Sequence, residues 1–120
     1  MNEKIITELF SVLNERKKSS EKKSYTSYLI KNPELIAKKI GEETSELIID
    51  FVKKNKHGVI NESADLIYHI LVLWISIGVK PEDVWSELLS RKLRTGFEEK
   101  KNRGVKWMNC TTWIIFLLKY

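Results

Sequence analysis

The stretch from Ala64 to Ile77 constrains the fold more than any other part of this chain. It carries Ala64, Leu66, Ile67, Tyr68, Ile70, Leu71, Val72, Leu73, Trp74, Ile75 and Ile77, and Gly78 follows as a stop signal. An apolar run of this length reads as a helix, and a helix apolar almost all round has to be buried on nearly every side. Its polar exceptions, Glu62, Asp65 and His69, are spaced by three and four residues and therefore share one narrow face. The helix is expected to open at Asn61 or its neighbours, after a turn at Asn55-Lys56-His57-Gly58.

The remaining segments supply partners for it. Ile5, Ile6, Leu9, Phe10 and Leu13 recur at helical spacing and predict an amphipathic helix over residues 2–18. Ser19 to Ser24 has no periodicity and reads as a connector, followed by a short helix from Tyr25 to Ile30. Asn32-Pro33-Glu34 is a start signal, with Asn as N-cap, Pro at the first helical position and an acid in the first turn, for a helix reaching about Lys54. Lys80-Pro81-Glu82-Asp83 starts another, with Val84, Trp85, Leu88 and Leu89 predicted to face inward. Four to five helices with no convincing strand predict an all-α bundle. A chain of 120 residues holds one such domain, expected over 1–100, with 101–120 as a tail. The apolar run within Val105–Tyr120 is far below the roughly 20 residues that span a bilayer, so it reads as a segment docked on the bundle or on a second subunit, with a β-strand or a disordered end as the alternatives.

Cys110 is the only cysteine, which excludes an intrachain disulfide and a cysteine-rich zinc site. Met1-Asn2-Glu3-Lys4 leads into only two apolar residues, unlike a secretory signal, and a cytoplasmic setting without membrane attachment is expected. The net charge is +5, with clusters at Arg16-Lys17-Lys18 and Glu99-Lys100-Lys101 that read as solvated helix ends. A positive surface also draws in polyanions, but charge alone does not choose between nucleotides and nucleic acid.

The acids choose. On a helical wheel Ile36, Ile40, Leu47 and Phe51 form one stripe, and Glu43 falls in its middle. Glu46 lies one turn on and Glu42 flanks the pair. A hairpin pivoting on the Asn55–Gly58 turn sets Glu46 level with Asp65, with Glu43 and Glu62 displaced by about 4.5 Å of helix rise. Four carboxylates then converge inside a core. Ionised carboxylates in low dielectric cost several kcal/mol each unless a cation compensates, and all-oxygen ligation selects Mg²⁺, with Mn²⁺ as substitute. Magnesium completes its shell with phosphates, so the site implies a phosphorylated ligand, whose oxygens Lys38 and Lys39 can reach. His69 reads as a core histidine or as a support for the acids, and Trp74 and Trp85 as packing residues.

Glu42-Glu43-x-x-Glu46 followed by Glu62-x-x-Asp65 resembles the signature of the all-α nucleotide pyrophosphohydrolase (MazG-like) superfamily. Ser24-Tyr25-Thr26, Lys38-Lys39-Ile40-Gly41-Glu42-Glu43 and Glu62-Ser63-Ala64-Asp65-Leu66-Ile67-Tyr68-His69 extend the likeness to the phosphoribosyl-ATP pyrophosphatase family, over about Ser24 to Arg94. The resemblance implies hydrolysis of 1-(5-phosphoribosyl)-ATP to 1-(5-phosphoribosyl)-AMP and pyrophosphate, the second step of histidine biosynthesis. It implies Glu43, Glu46, Glu62 and Asp65 as magnesium ligands and Glu42 as a catalytic group with Glu43, a further ligand or an orienter of water. It places Ser24, Tyr25, Thr26, Lys38 and Lys39 among the substrate-binding residues. It further implies an intertwined homodimer or larger assembly and no nucleic-acid partner. Two other readings compete: a MazG-like enzyme acting on ordinary nucleoside triphosphates, and a non-catalytic helical module that binds through its basic surface. The last leaves the buried acids unexplained.

Overall fold

A computed structural model describes residues 4–92. Among them are five helices: α1 (Ile5–Arg16), α2 (Tyr25–Lys31), α3 (Pro33–Val52), α4 (Lys56–Ile77) and α5 (Pro81–Lys92). Of the described residues, those up to Asp83 form one compact unit, and the body of α5 from Val84 on falls in a second. The expected tail at 101–120, the segment Arg94 to Lys100 and the basic cluster at Glu99-Lys100-Lys101 lie outside the described residues.

The all-α expectation holds, and α3 and α4 are the principal pair. They form an antiparallel hairpin, and its turn is shorter than the sequence led us to expect. Helix α4 opens at Lys56 rather than near Asn61, because Asn55 caps it: the Asn55 side-chain oxygen accepts from Gly58 N at 3.1 Å. Gly58 is therefore inside the first helical turn. A Cβ there would meet the Asp50 carboxylate, which Asn55 Nδ2 holds at 3.2 Å, so a larger residue would require that side chain to swing aside. The end of α3 is closed by two backbone bonds, Asn55 N to Asp50 O at 2.9 Å and Lys54 N to Phe51 O at 3.0 Å.

That closure puts Lys54 at φ 58, the left-handed region where a Cβ is unfavourable. Glycine relieves the strain, so Lys54→Gly is expected to stabilise the fold by about 1 kcal/mol, read as a higher urea midpoint at unchanged slope. Gly78 performs the same service at the end of α4, with φ 78 and Val79 N bonded to Trp74 O at 2.9 Å.

Helices α1 and α2 pack on α4, and α2 also on α3. The core they enclose is Leu13 from α1, Leu29 from α2, Ile36 from α3 and Leu71, Val72 and Ile75 from α4. Ile6, Leu9 and Phe10 pack against it, whereas Ile5 is exposed. Ser24 caps α2 through Ser27 N at 3.3 Å, and Ser27 Oγ in turn donates to Ser19 O at 2.6 Å, so the connector is fastened down. Asn32 sits at the N-cap position of α3, but its side chain donates back to Tyr28 O at 2.7 Å and finishes α2 instead.

Two burial expectations are corrected. The core lies at the end of the hairpin remote from the turn, because α1 and α2 cover only that end. Near the turn the apolar stripe emerges: Phe51 is 72% and Val52 71% exposed, and Ile48, Ile49, Ile60 and Ile67 are exposed with them. Helix α4 is thus not buried on nearly every side within one chain. On α5, Trp85, Leu88 and Leu89 are exposed rather than inward. Helix α4 is the one described helix long and apolar enough to cross a bilayer. Its carboxylates at Glu62 and Asp65 oppose insertion, and it is the helix that α1, α2 and α3 all contact.

Candidate active site

The site lies halfway along the hairpin, between the core and the turn. Glu62 meets both Glu43 and Glu46, and carboxylate oxygens of Glu43, Glu62 and Asp65 lie within 4.8 Å of one another. The sequence reading had set Glu46 opposite Asp65, yet the four acids it named still converge. Glu43 is 7% exposed, Glu62 is half-buried, and Glu46 and Asp65 reach solvent. A carboxylate at a core position is thereby given a water-accessible edge, as a ligand-binding group requires.

The electrostatics are strained. Hydrogen bonding with Glu43, burial, and then the Glu46 carboxylate push Glu62 up to about 7 from 4.5. Its Oε2 atom is buried with no hydrogen-bond partner. An orphaned buried carboxylate oxygen beside two further acids has the donor chemistry that suits a hard divalent cation. On that test Glu43, Glu62 and Asp65 can hold Mg²⁺, with Glu46 against them.

Glu42 is engaged elsewhere. Its carboxylate takes Lys39 Nζ at 3.2 Å and Lys38 Nζ at 3.9 Å, and Lys39 also lies 3.8 Å from Glu43. The Glu42 hydrogen bond and charge raise the Lys39 pKa above the ordinary lysine value. Both lysines line a cavity of about 240 Å³ with Tyr25, Tyr28, Leu29, Leu35 and Glu42. Cations are thus held beside the acids without filling the carboxylate cluster.

His69 is 5% exposed, and its Nδ1 lies 2.7 Å from the Asp65 carbonyl. A carbonyl only accepts, so Nδ1 carries the proton; Nε2 is buried without a partner. The ring is edge-on to Tyr68 and Tyr25, at centroid distances of 5.0 and 6.3 Å. Of the five residues that resemblance placed at the substrate, Lys38 and Lys39 line the cavity beside the acids; Tyr25 is half exposed, with burial raising its pKa; Ser24 is the cap of α2, and Thr26 is buried with its hydroxyl 2.8 Å from Tyr68 OH. Sequence reasoning passed over Tyr68. The signal was there, since Tyr68 lies one turn after Asp65 on the reserved face of α4.

Comparison with known proteins gives the family. Residues 6–92 match the phosphoribosyl-ATP pyrophosphohydrolase family. A phosphoribosyl-ATP pyrophosphatase of Paramagnetospirillum magneticum is 42% identical over 104 residues, 86% of this chain and 95% of its own length. One of Clostridium novyi is 39% identical over 103 residues, 85% of this chain and 94% of its own. One of Granulibacter bethesdensis is 37% identical over 101 residues, 83% of this chain and 63% of its longer sequence. With the matched span containing all four converging carboxylates, this chain belongs to the phosphoribosyl-ATP pyrophosphohydrolase family.

Proposed function

We propose that this protein hydrolyses 1-(5-phosphoribosyl)-ATP to 1-(5-phosphoribosyl)-AMP and pyrophosphate, the second step of histidine biosynthesis, in the cytoplasm and with Mg²⁺ or Mn²⁺ as cofactor. The observation that carries the reading is the convergence of Glu43, Glu62 and Asp65 within 4.8 Å around an unpartnered Glu62 oxygen. Glu43, Glu46, Glu62 and Asp65 hold the cation. Once bound, it supplies positive charge against the phosphoryl oxygens and the leaving pyrophosphate. Lys38 and Lys39 exchange Glu42 for phosphate oxygens, and the released Glu42 carboxylate orients the attacking water at the α-phosphorus. His69 fixes the backbone of Asp65 from behind.

Pyrophosphate release from phosphoribosyl-ATP by the purified protein, with Mg²⁺ and again with chelator, tests substrate, reaction and metal together. Metal-dependent turnover much faster than that of common dNTPs is expected. Far faster release from dNTPs would install the MazG-like housekeeping reading instead.

We propose also that the exposed apolar end of the α3/α4 hairpin is covered by a second copy, giving a homodimer. Ile48, Ile49, Phe51, Val52, Ile60 and Ile67 are all exposed on the two helices of the hairpin, a concentration of apolar side chains that monomers seldom leave in water. Placing a carboxylate there should prevent its burial. Phe51→Asp is expected to sediment as a monomer where the unaltered protein sediments as a dimer; equal sedimentation would remove the proposal.

A further inference from the structure

A second cavity, of about 410 Å³, lies on the other side of Tyr25, lined by Arg16, Ser19, Lys23, Ser24, Tyr25, Thr26 and Tyr68. Tyr25 lines both cavities and is the wall they share, and its ring stacks at 6.3 Å and 10° on Tyr68, which lines the second cavity alone. The wall is braced, since Thr26 holds the Tyr68 hydroxyl. The rim is braced as well: Ser27 Oγ donates to Ser19 O, while Lys23 N and Ser24 N bond Ser20 O at 3.0 and 3.2 Å.

The two cavities differ in charge. Lys38 and Lys39 are matched by Glu42 and Glu43, whereas Arg16 and Lys23 pair with no carboxylate among the described residues. Residues 15–24 carry five cationic against two anionic side chains, and one of those acids, Glu15, is taken by Lys18. A pocket with an Arg, a Lys and two serine hydroxyls at its edge, and an uncompensated positive charge, suits a phosphate monoester.

Resting on the reading under Proposed function, we infer that the Arg16–Lys23 cavity binds the phosphate of the second ribose of the substrate. The polyphosphate is cut beside Glu43 and Asp65, and the purine between the two sugars crosses the Tyr25 wall. A substrate phosphorylated at both ends then has an anion subsite for each end, and an ordinary nucleoside triphosphate leaves one of them empty. Arg16 and Lys23 are specificity-determining residues that touch no reacting atom.

The test is steady-state hydrolysis of phosphoribosyl-ATP by the unaltered protein and by Arg16→Met, Lys23→Met and, as a matched control, Lys53→Met, which removes an equal charge from the distant end of α3. Loss of one charge-assisted contact is expected to raise KM roughly tenfold to hundredfold for the first two variants, with kcat little changed, while Lys53→Met leaves both constants alone. Arg16→Lys should recover part of the loss. KM values for Arg16→Met and Lys23→Met within twofold of the unaltered protein, or raised no more than by Lys53→Met, would overturn the inference while leaving the reaction itself intact. No turnover of phosphoribosyl-ATP by the unaltered protein would instead overturn the reading beneath it, and the inference with it. All three substituted residues are exposed, and melting curves matching the unaltered protein confirm that the changes are local.

Discussion

Glu43→Gln and Asp65→Asn are each expected to reduce pyrophosphate release on the order of a hundredfold or more while leaving the helical circular dichroism spectrum unchanged. Both substitutions keep the size of the side chain and remove only the charge. In a packed helix pair that distinction matters, because Glu43 is 7% exposed and a truncation there would confuse lost chemistry with a cavity. The direction of the stability change separates the account from a structural one. A carboxylate that served packing or an ion pair would be missed, and the variant would melt earlier. A carboxylate gathered against its neighbours for a cation is a liability in the cation's absence, so in chelator each variant should melt at or above the temperature of the unaltered protein. Activity retained in both variants would remove the acids from the reaction.

The second large effect is on stability against pH in chelator, and its source is Glu62. The folded-state pKa is raised from 4.5 to about 7, by Glu43, burial and Glu46 in that order. A folded protein that holds a proton more tightly than the unfolded chain is favoured where both are protonated. That stability is fully present below 4.5 and is lost as pH rises through about 7. Metal-free protein is therefore expected to melt lower at pH 8 than at pH 5, relative to Glu62→Gln, which keeps the protonated shape at every pH. Glu62→Gln should be the more stable form above pH 7, and Mg²⁺ should reverse the order by binding the unaltered site. Differential scanning calorimetry with and without chelator reads both halves. Parallel melting curves for the two proteins across pH 5 to 8 would mean that Glu62 titrates normally.

Much of this was legible in the residues. Glu43 betrayed itself by occupying the middle of an apolar stripe, and Glu62, Asp65 and His69 by sharing the one polar face of an otherwise apolar helix. Periodicity reports which residues share a face, and face-sharing is what the site needs. Periodicity does not report where a hairpin pivots. Gly58 looked like a helix breaker, whereas it lies inside the first turn of α4 beside Asp50; the residue that does turn the chain, Lys54, carries no sequence mark of a left-handed conformation. Nor can one sequence say whether an apolar face is covered by its own chain. Phe51 belongs to the same stripe as Ile36, and only the short reach of α1 and α2 decides that Ile36 is buried and Phe51 is not. Arg16 read as part of a solvated helix end and Lys23 as part of an aperiodic connector, because periodicity does not show that the two line one cavity.

Binding of Mn²⁺ to the substrate-free protein, followed by electron paramagnetic resonance, probes the central claim most directly. Carboxylates from α3 and α4 that converge to hold a dication should bind the ion, release it to competing Mg²⁺, and lose it in Asp65→Asn and Glu43→Gln. Binding of equal strength in the unaltered protein and both variants would place the ion elsewhere and contradict the account.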